Sequence, residues 1–270
     1  MTTTFKRLRN IAVGTALVLS SAGAFAASAP FMIDPTAYTT TPNAGVFTAN
    51  QMTGNSTVYL TNTGGFNYSG TGYIQYATVS NNGSAVSVGT SGLGLDYGLY
   101  ATFTQTFSCS GLLAVGTSCS VTGIALELFL DRGNNDTFTP ASLSSGAPVI
   151  GGTTTGDVLL GRVNTVIAGS AGLDPLGNAF QTVNTNFTLT ADGSKFFISP
   201  TPFYGLAFSQ FGNSSGGATC SPDCSGATFV AINDESGSTV FNAVPEPMPL
   251  ALMGLGMLGM VAFRRNQTKK

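Results

Sequence analysis

Four cysteines are the residues of this 270-residue chain whose types and spacing point most directly to covalent chemistry. Nine residues separate Cys109 from Cys119, and three separate Cys220 from Cys224. An even number of cysteines indicates disulfides in a chain that is exported, and of the three possible connectivities we favour the local one, Cys109 with Cys119 and Cys220 with Cys224. Four thiolates around a zinc ion are the alternative, but these spacings depart from the common zinc patterns.

A polar stretch from Asp131 to Thr137 is the candidate for binding a metal ion. Asp and Asn oxygens spaced along a glycine-containing loop suit Ca²⁺, which takes roughly six to eight oxygen ligands. The ligands would be Asp131, Asn135 and Asp136. The stretch lacks the terminal glutamate of an EF-hand loop, so the simpler interpretation is a polar turn held by bonds from side chains to the backbone. We therefore expect no resident metal or other cofactor.

Catalytic chemistry has few candidates. The chain contains no histidine, which excludes Ser-His-Asp and Cys-His hydrolase sites and histidine-ligated zinc. Glu127 and Asp131 lie four residues apart on a predicted strand and would face the same side. A hydrolase with paired carboxylates, which glycosidases place roughly 5–10 Å apart, is therefore one hypothesis. Carboxylates on an outer strand face are usually only solvated, and we expect the protein not to be an enzyme.

The elements that would carry these residues are predicted to be strands. Residues 27–243 are rich in Gly, Ser, Thr, Asn and β-branched or aromatic residues, which favour strands and turns. Apolar residues alternate from Tyr97 to Phe107, as in a half-buried strand, and Asn82-Gly83 is a strong hairpin signal. Many short antiparallel strands must bury one face, so we predict an all-β, antiparallel, β-sandwich-like body. A β-solenoid is the alternative, but no fixed-period repeat supports it.

The N-terminal end has the three parts of a secretory signal peptide. Its three basic residues come first: Lys6, Arg7 and Arg9. A largely apolar run follows from Ile11 to Leu19, and Ala24-Phe25-Ala26 forms the recognition triplet. The sequence therefore predicts a signal peptide over residues 1–26, with cleavage before Ala27.

The C-terminal end, residues 244–270, has the order of a sorting tail. Val244-Pro245-Glu246-Pro247 is followed by 16 uncharged residues, 248–263, and then by Arg264-Arg265. The uncharged run is just under the ~17–25 residues of a usual transmembrane helix, but a short helix can span a thinned bilayer. The basic end would remain in the cytoplasm, which would hold the body outside the inner membrane. Pro245 and Pro247 bar a helix at the junction and keep it extended, as a processing enzyme requires.

This tail resembles the PEP-CTERM sorting signal of Gram-negative bacteria. The residues that carry the resemblance are Val244, Pro245, Glu246, Pro247, Arg264 and Arg265. The resemblance implies that exosortase, a membrane cysteine transpeptidase, removes the anchor helix, and that the host makes exopolysaccharide. An ordinary C-terminal anchor is the alternative.

Several blocks of the body carry a wider resemblance. In chain order they are residues 34–37 (DPTA), 92–97 (GLGLDY), 151–153 (GGT), 156–161 (GDVLLG), 200–208 (PTPFYGLAF) and 230–233 (VAIN). With these blocks the body is similar to the flocculation-associated PEP-CTERM proteins of floc-forming β-proteobacteria. The similarity implies a role in retaining exopolysaccharide around cells so that they aggregate, and it supplies no catalytic residue.

Charge excludes a further class of function. Eleven of the twelve acidic residues lie in the body, whereas Arg132, Arg162 and Lys195 are its three basic residues, so its net charge is about −8. Such a body offers no basic patch for phosphates, which excludes a nucleic-acid partner.

The sequence thus predicts an exported structural protein that associates with exopolysaccharide and promotes flocculation and retention of the biofilm matrix. Its partners would be the secretion machinery, exosortase, exopolysaccharide and, before processing, the inner membrane. The mature protein would lie at the cell surface or in the extracellular matrix. The alternative is a Ca²⁺-dependent carbohydrate-binding module on the cell surface.

Overall fold

The computed structural model describes residues 28–39, 45–212 and 218–242. These ranges contain seventeen strands and two one-turn helices. In chain order the elements are β1 Phe31–Ile33, β2 Phe47–Ala49, β3 Gln51–Gly64, β4 Asn67–Asn81, β5 Ser84–Ala85, α1 Val88–Ser91, β6 Tyr97–Cys109, β7 Ser118–Arg132, β8 Thr137–Thr139, β9 Val149–Gly151, β10 Val158–Val163, β11 Val166–Leu173, β12 Ala179–Asn186, β13 Thr188–Leu189, α2 Gly193–Phe196, β14 Phe197–Ser199, β15 Leu206–Gly212, β16 Ala218–Ser221 and β17 Phe229–Asn242.

Eight of these strands form a closed antiparallel barrel, in the order β3, β4, β6, β7, β11, β12, β15, β17 and back to β3. The pairing of β7 with β11 closes it, with Ser120 opposite Ser170 and Ser118 opposite Gly172. The prediction of an all-β, antiparallel fold is therefore confirmed, whereas the prediction of a sandwich is wrong. A sandwich and a barrel both bury alternate residues of each strand, so alternation in the sequence does not separate them.

The alternation predicted for β6 is present. Tyr97, Leu99, Ala101, Phe103, Gln105 and Phe107 all point into the barrel and are buried. Thr104 and Thr106, on the outer face, are exposed. Tyr100 is also on the outer face but is buried, because a second layer covers this part of the barrel.

The two ends of the barrel differ. At the end that we call upper, β17 finishes at Asn242 opposite Leu206, and the small sheet β14-β1-β2 packs nearby through Phe31, whose ring centroid is 5.4 Å from that of Phe241. At the lower end, Cys109 pairs with Cys119 at the ends of β6 and β7. The chain therefore leaves the barrel toward its C-terminal tail at the end opposite this disulfide.

The turn between β4 and β5 has the residues that a tight hairpin requires. Asn82 and Gly83 have φ angles of 50° and 80°, and the hairpin they form joins β4 to β5 as predicted. The predicted signal peptide and C-terminal hydrophobic helix lie outside the described residues. Within the described ranges, no helix has the length and apolar character needed to cross a membrane.

Candidate cation site

A layer of aromatic side chains covers the outer face of the barrel near the upper end. The hairpin of β8 and β9 lies over β4, β6 and β7, and its Phe138 ring is 5.2 Å from Tyr73 and 5.6 Å from Tyr100. Tyr100 in turn stacks on Phe129 of β7 at 5.2 Å. This apolar cover takes the neighbouring polar groups out of water.

Three carboxylates meet beside this layer. Asp131 is near the end of β7, Asp136 directly precedes β8, and Asp157 directly precedes β10. One oxygen of each lies within 4.8 Å of the others. The cluster thus forms at the upper end of the barrel, where β7 ends and where β8 and β10 begin.

Two of the carboxylates have protein donors. Asp131 is 1% exposed, and its oxygens accept the backbone N–H groups of Asn135 at 3.2 Å and Asp136 at 3.0 Å. Asp157 accepts the hydroxyl of Tyr100 at 2.6 Å. These bonds hold both carboxylates in place and leave lone pairs free on their oxygens.

Asp136 is the carboxylate without a donor. Both of its oxygens are buried and accept no hydrogen bond within the described part of the chain. Burial, followed by the negative charges of Asp131 and Asp157, raises the pKa of Asp136 to about 6. A buried carboxylate between two others needs a positive partner, which is either a proton shared with Asp157 or a bound cation.

The described part of the chain supplies no such partner. Its three basic side chains are engaged elsewhere: Arg132 lies over the ring of Tyr38, Arg162 pairs with Glu127 at 2.9 Å, and Lys195 pairs with Asp192 at 2.8 Å. None of the basic side chains that the structure describes therefore compensates the three carboxylates.

The backbone around the cluster has little room to spare. A Cβ added to Gly98 would stand 3.2 Å from Asp131 Oδ2 and 3.0 Å from Asn134 Oδ1. Gly152 has φ of 93°, and a Cβ there would lie 2.6 Å from the carbonyl oxygen of Asn135. These two glycines allow the 131–136 loop to pack closely against neighbouring strands.

The structure thus brings together Asp131 and Asp136, two of the three residues that the sequence indicated for Ca²⁺. Asn135 contributes its backbone N–H rather than a position in the carboxylate cluster. Asp157 and Tyr100 were missed, because they lie 21 residues after Asp136 and 31 before Asp131, with no motif joining them.

The pair Glu127 and Asp131 is not arranged as paired catalytic carboxylates. Both lie on the outer face of β7, as expected, but four residues of extended strand span about 13 Å. Glu127 is bound to Arg162, and Phe129 lies between the two acids. This backbone separation is longer than the roughly 5–9.5 Å between the carboxyl groups of two-carboxylate glycosidases.

The cysteines pair as predicted. Disulfides join Cys109 to Cys119 and Cys220 to Cys224, which leaves no free cysteine. Both lie toward the lower end, since Cys220 on β16 pairs with Val230 at the start of β17. The four-thiolate alternative is therefore ruled out in this structure.

Comparison with known proteins identifies one segment. Residues 243–266 match the PEP-CTERM protein-sorting motif, and the predicted sorting residues Val244 to Pro247 and Arg264-Arg265 fall inside the match. The motif implies an exported protein that is anchored in the membrane before exosortase processes it. Searches of curated proteins and of solved structures found no match to the chain. Membership of the flocculation-associated group therefore stays a prediction, as does the signal cleavage at Ala24, Ala26 and Ala27, which lies outside the described residues.

Proposed function

We propose that the chain is a non-enzymatic matrix protein, which associates with exopolysaccharide and promotes flocculation and biofilm retention after exosortase processing. The observation that carries this proposal is the outer face of the barrel, which is rich in hydroxyl groups and joined to a sorting tail. Exposed threonine pairs, such as Thr106 with Thr122 at 2.9 Å, lie across neighbouring strands. Hydroxyls exchange hydrogen bonds with sugars without the desolvation cost of fixed charges.

A groove on this face provides a specific place for a sugar chain. It has a volume of about 370 Å³ and crosses β4, β6 and β7 beneath Ile150. Its apolar lining consists of Tyr73, Phe103, Ala125, Pro148 and Ile150, and its polar lining consists of Thr71, Thr102, Thr104 and Glu127. These groups offer both donors and acceptors to the hydroxyls of a polysaccharide.

Cosedimentation of the purified protein with exopolysaccharide from the native host tests this role. Thr104→Arg places a long side chain in the groove at an exposed position and is expected to weaken cosedimentation. Thr228→Arg adds the same charge at an exposed position just before β17, outside the groove, and is the matched control. Equal cosedimentation of both variants and wild type would remove the groove from the proposal. Unchanged floc formation after deletion of the gene would remove the matrix role.

Processing is tested separately by mass spectrometry of protein recovered from the matrix. A C-terminus near Pro245-Glu246-Pro247 is the expected result. An intact tail through Lys270, found only in the membrane fraction, would contradict processing and indicate an ordinary anchor.

A second function, divalent-cation binding, is favoured by the unpartnered carboxylate of Asp136. Asp131, Asp136 and Asp157 would supply three carboxylate oxygens to Ca²⁺, and water or sugar hydroxyls would complete its roughly six to eight ligands. The groove is near this site, because Thr102 follows Tyr100 on the outer face of β6. A bound Ca²⁺ ion would therefore connect the carboxylate cluster with a sugar chain in the groove.

Calorimetric titration with Ca²⁺ tests this second function. Asp136→Asn replaces the carboxylate by a neutral amide of the same shape. It should abolish the heat of Ca²⁺ binding. Asp174→Asn is the matched control, since Asp174 is a half-buried loop carboxylate outside the cluster. Absence of heat in the wild-type protein, or heat unchanged by Asp136→Asn, would end the idea.

A further inference from the structure

The interior of the barrel contains two cavities with a shared polar boundary. The cavity toward the upper end has a volume of about 40 Å³, and the lower one about 30 Å³. Glu235 and Gln181 line both, and Gln105 joins them in lining the lower one. The remaining lining is mostly apolar.

Glu235 reaches the interior through an irregularity of β17. The register of β17 against β3 shifts between Ile232 and Glu235, where Asp234 has φ of 55°. The extra residue turns Glu235 inward, and the side chain is only 5% exposed. Its Oε2 accepts the hydroxyl of Ser56 at 2.8 Å, and this is the one side-chain hydrogen bond of Glu235 among the described residues.

Gln105 provides a second, independent sign of a missing partner. It is 3% exposed on the inner face of β6, and its Oε1 is buried without a hydrogen-bond partner in the described structure. Buried amide oxygens are almost always bonded, because leaving one unpaired costs about 1–3 kcal/mol. The lower cavity therefore presents the acceptors Gln105 Oε1 and the Glu235 carboxylate, beside the amide of Gln181, which can donate or accept.

Among the residues that the structure describes, no positive side chain faces these acceptors. The two cavity linings contain no lysine or arginine. Besides Glu235, the titratable residue types in the linings are the phenols of Tyr68 and Tyr76 and the disulfide-bonded Cys109 and Cys119. An ionised Glu235 would thus be a buried charge without a counter-ion, which is strongly unfavourable.

The walls fix the size and apolar character of a suitable occupant. The lower cavity is bounded mainly by aliphatic and aromatic groups: Val58, Leu60, Phe107, Leu173, Ala179 and Ile232. One water needs about 10–15 Å³ of such volume, so each cavity has room for only a few non-hydrogen atoms.

We propose that the barrel interior is a binding site for a small aliphatic primary amine in its ammonium form. The ammonium group would donate to the Glu235 carboxylate and to Gln105 Oε1, and the alkyl group would fill the apolar part of the lower cavity. A primary ammonium has three donors and one positive charge, which matches both the two acceptors and the missing counter-ion. This site is separate from the groove and from the carboxylate cluster, and it goes beyond the proposed matrix function.

Calorimetric titration of the full purified chain with methylamine, ethylamine and n-propylamine tests the proposal, with ethanol and n-propanol as uncharged analogues. We expect one site per chain and a dissociation constant in the roughly millimolar range, since so few atoms cannot bind much more tightly. The alcohols should bind at least about tenfold more weakly, because they leave the carboxylate without a counter-ion.

Two variants locate the site. Glu235→Gln keeps the shape of the side chain and should weaken amine binding at least about tenfold. Glu127→Gln, which alters an exposed carboxylate outside the barrel, should leave it unchanged. Gln105→Met removes the amide, with both its acceptor and its donor, at a similar side-chain length. It should weaken binding severalfold, which tests the site independently of how Glu235→Gln folds.

Three results would overturn the proposal. These are no heat with any amine, equal affinity for amines and alcohols, or amine binding that neither interior variant reduces. The first would indicate cavities that hold only water. Failure of the amine proposal would not affect the proposals of exopolysaccharide and Ca²⁺ binding, because their variants change residues on the outer face of the barrel.

Discussion

Glu235→Gln separates the charge of this buried side chain from its shape. Glutamine retains an acceptor for the Ser56 hydroxyl, which lies 2.8 Å from Glu235 Oε2, but it cannot ionise. Burial raises the pKa of Glu235 to about 7 from its usual 4.5, and the hydrogen bond from Ser56 opposes this shift only in part. The wild-type protein must therefore either protonate Glu235 or keep an unfavourable buried charge.

The sign of the effect on stability follows from this pKa. The folded state holds the proton more tightly than the unfolded state, so the stability that the proton confers is fully present below about pH 4.5. It is lost as the pH rises through about 7. A rise in pKa from 4.5 to about 7 corresponds to roughly 3 kcal/mol. We therefore expect Glu235→Gln to match wild type near pH 4 and to be more stable by about 3 kcal/mol at pH 8.5.

Urea denaturation between pH 4 and pH 9, with the disulfides intact and no amine present, measures this difference. Asp136 also has a raised pKa, but its contribution is common to both proteins and cancels in the comparison. Glu127→Gln, at an exposed site, is the control and should show no comparable gain at high pH. A difference that does not grow with pH, or a Glu235→Gln protein less stable than wild type at pH 8.5, would refute the reasoning.

Other predictions concern the cation site, one close contact and one disulfide. Ca²⁺ affinity should fall as the pH is lowered through about 6, because protonation of Asp136 competes with the ion, and titrations at pH 5 and pH 7.5 would show it. Gly193→Ala should lower the free energy of unfolding by at least about 2 kcal/mol, because its Cβ would collide with the carbonyl oxygen of Leu160, and an unchanged melting temperature would contradict this. Replacing Cys109 and Cys119 by serine should cost about 2–3 kcal/mol, since the bond closes a separation of 10 residues, and denaturant titration of the double variant measures it.

Local features of the fold were predictable because they depend on neighbouring residues. The alternation from Tyr97 to Phe107 predicted β6, Asn82-Gly83 predicted a hairpin, and short loops predicted both disulfides. Barrel closure was not predictable, because β7 meets β11 through small polar residues such as Ser120 and Ser170, which carry no pairing signal. Closure depends on strand tilt and stagger, which the period of two does not encode.

The functional residues that were missed share a different cause. Asp157 joins the cluster only through the tertiary path of the chain, and Glu235 lies between Asp234 and Ser236, a polar setting typical of a turn. The structure shows the irregularity in the spacing of two inward residues: Ile232 and Phe241 are an odd number of residues apart. Strict alternation forbids this in one strand, so an inserted residue had to lie between them.

The exit of β17 from the barrel has a mechanical consequence. The sorting motif follows directly after Asn242, and β17 is paired on both sides, with β15 along Leu206–Gly212 and with β3. Antiparallel hydrogen bonds run perpendicular to the strands, so tension along β17 loads both ladders in shear. The bonds must then yield together rather than one after another. Tension applied at the C-terminal end of β17 therefore acts along a direction in which the bonds of both ladders must break together.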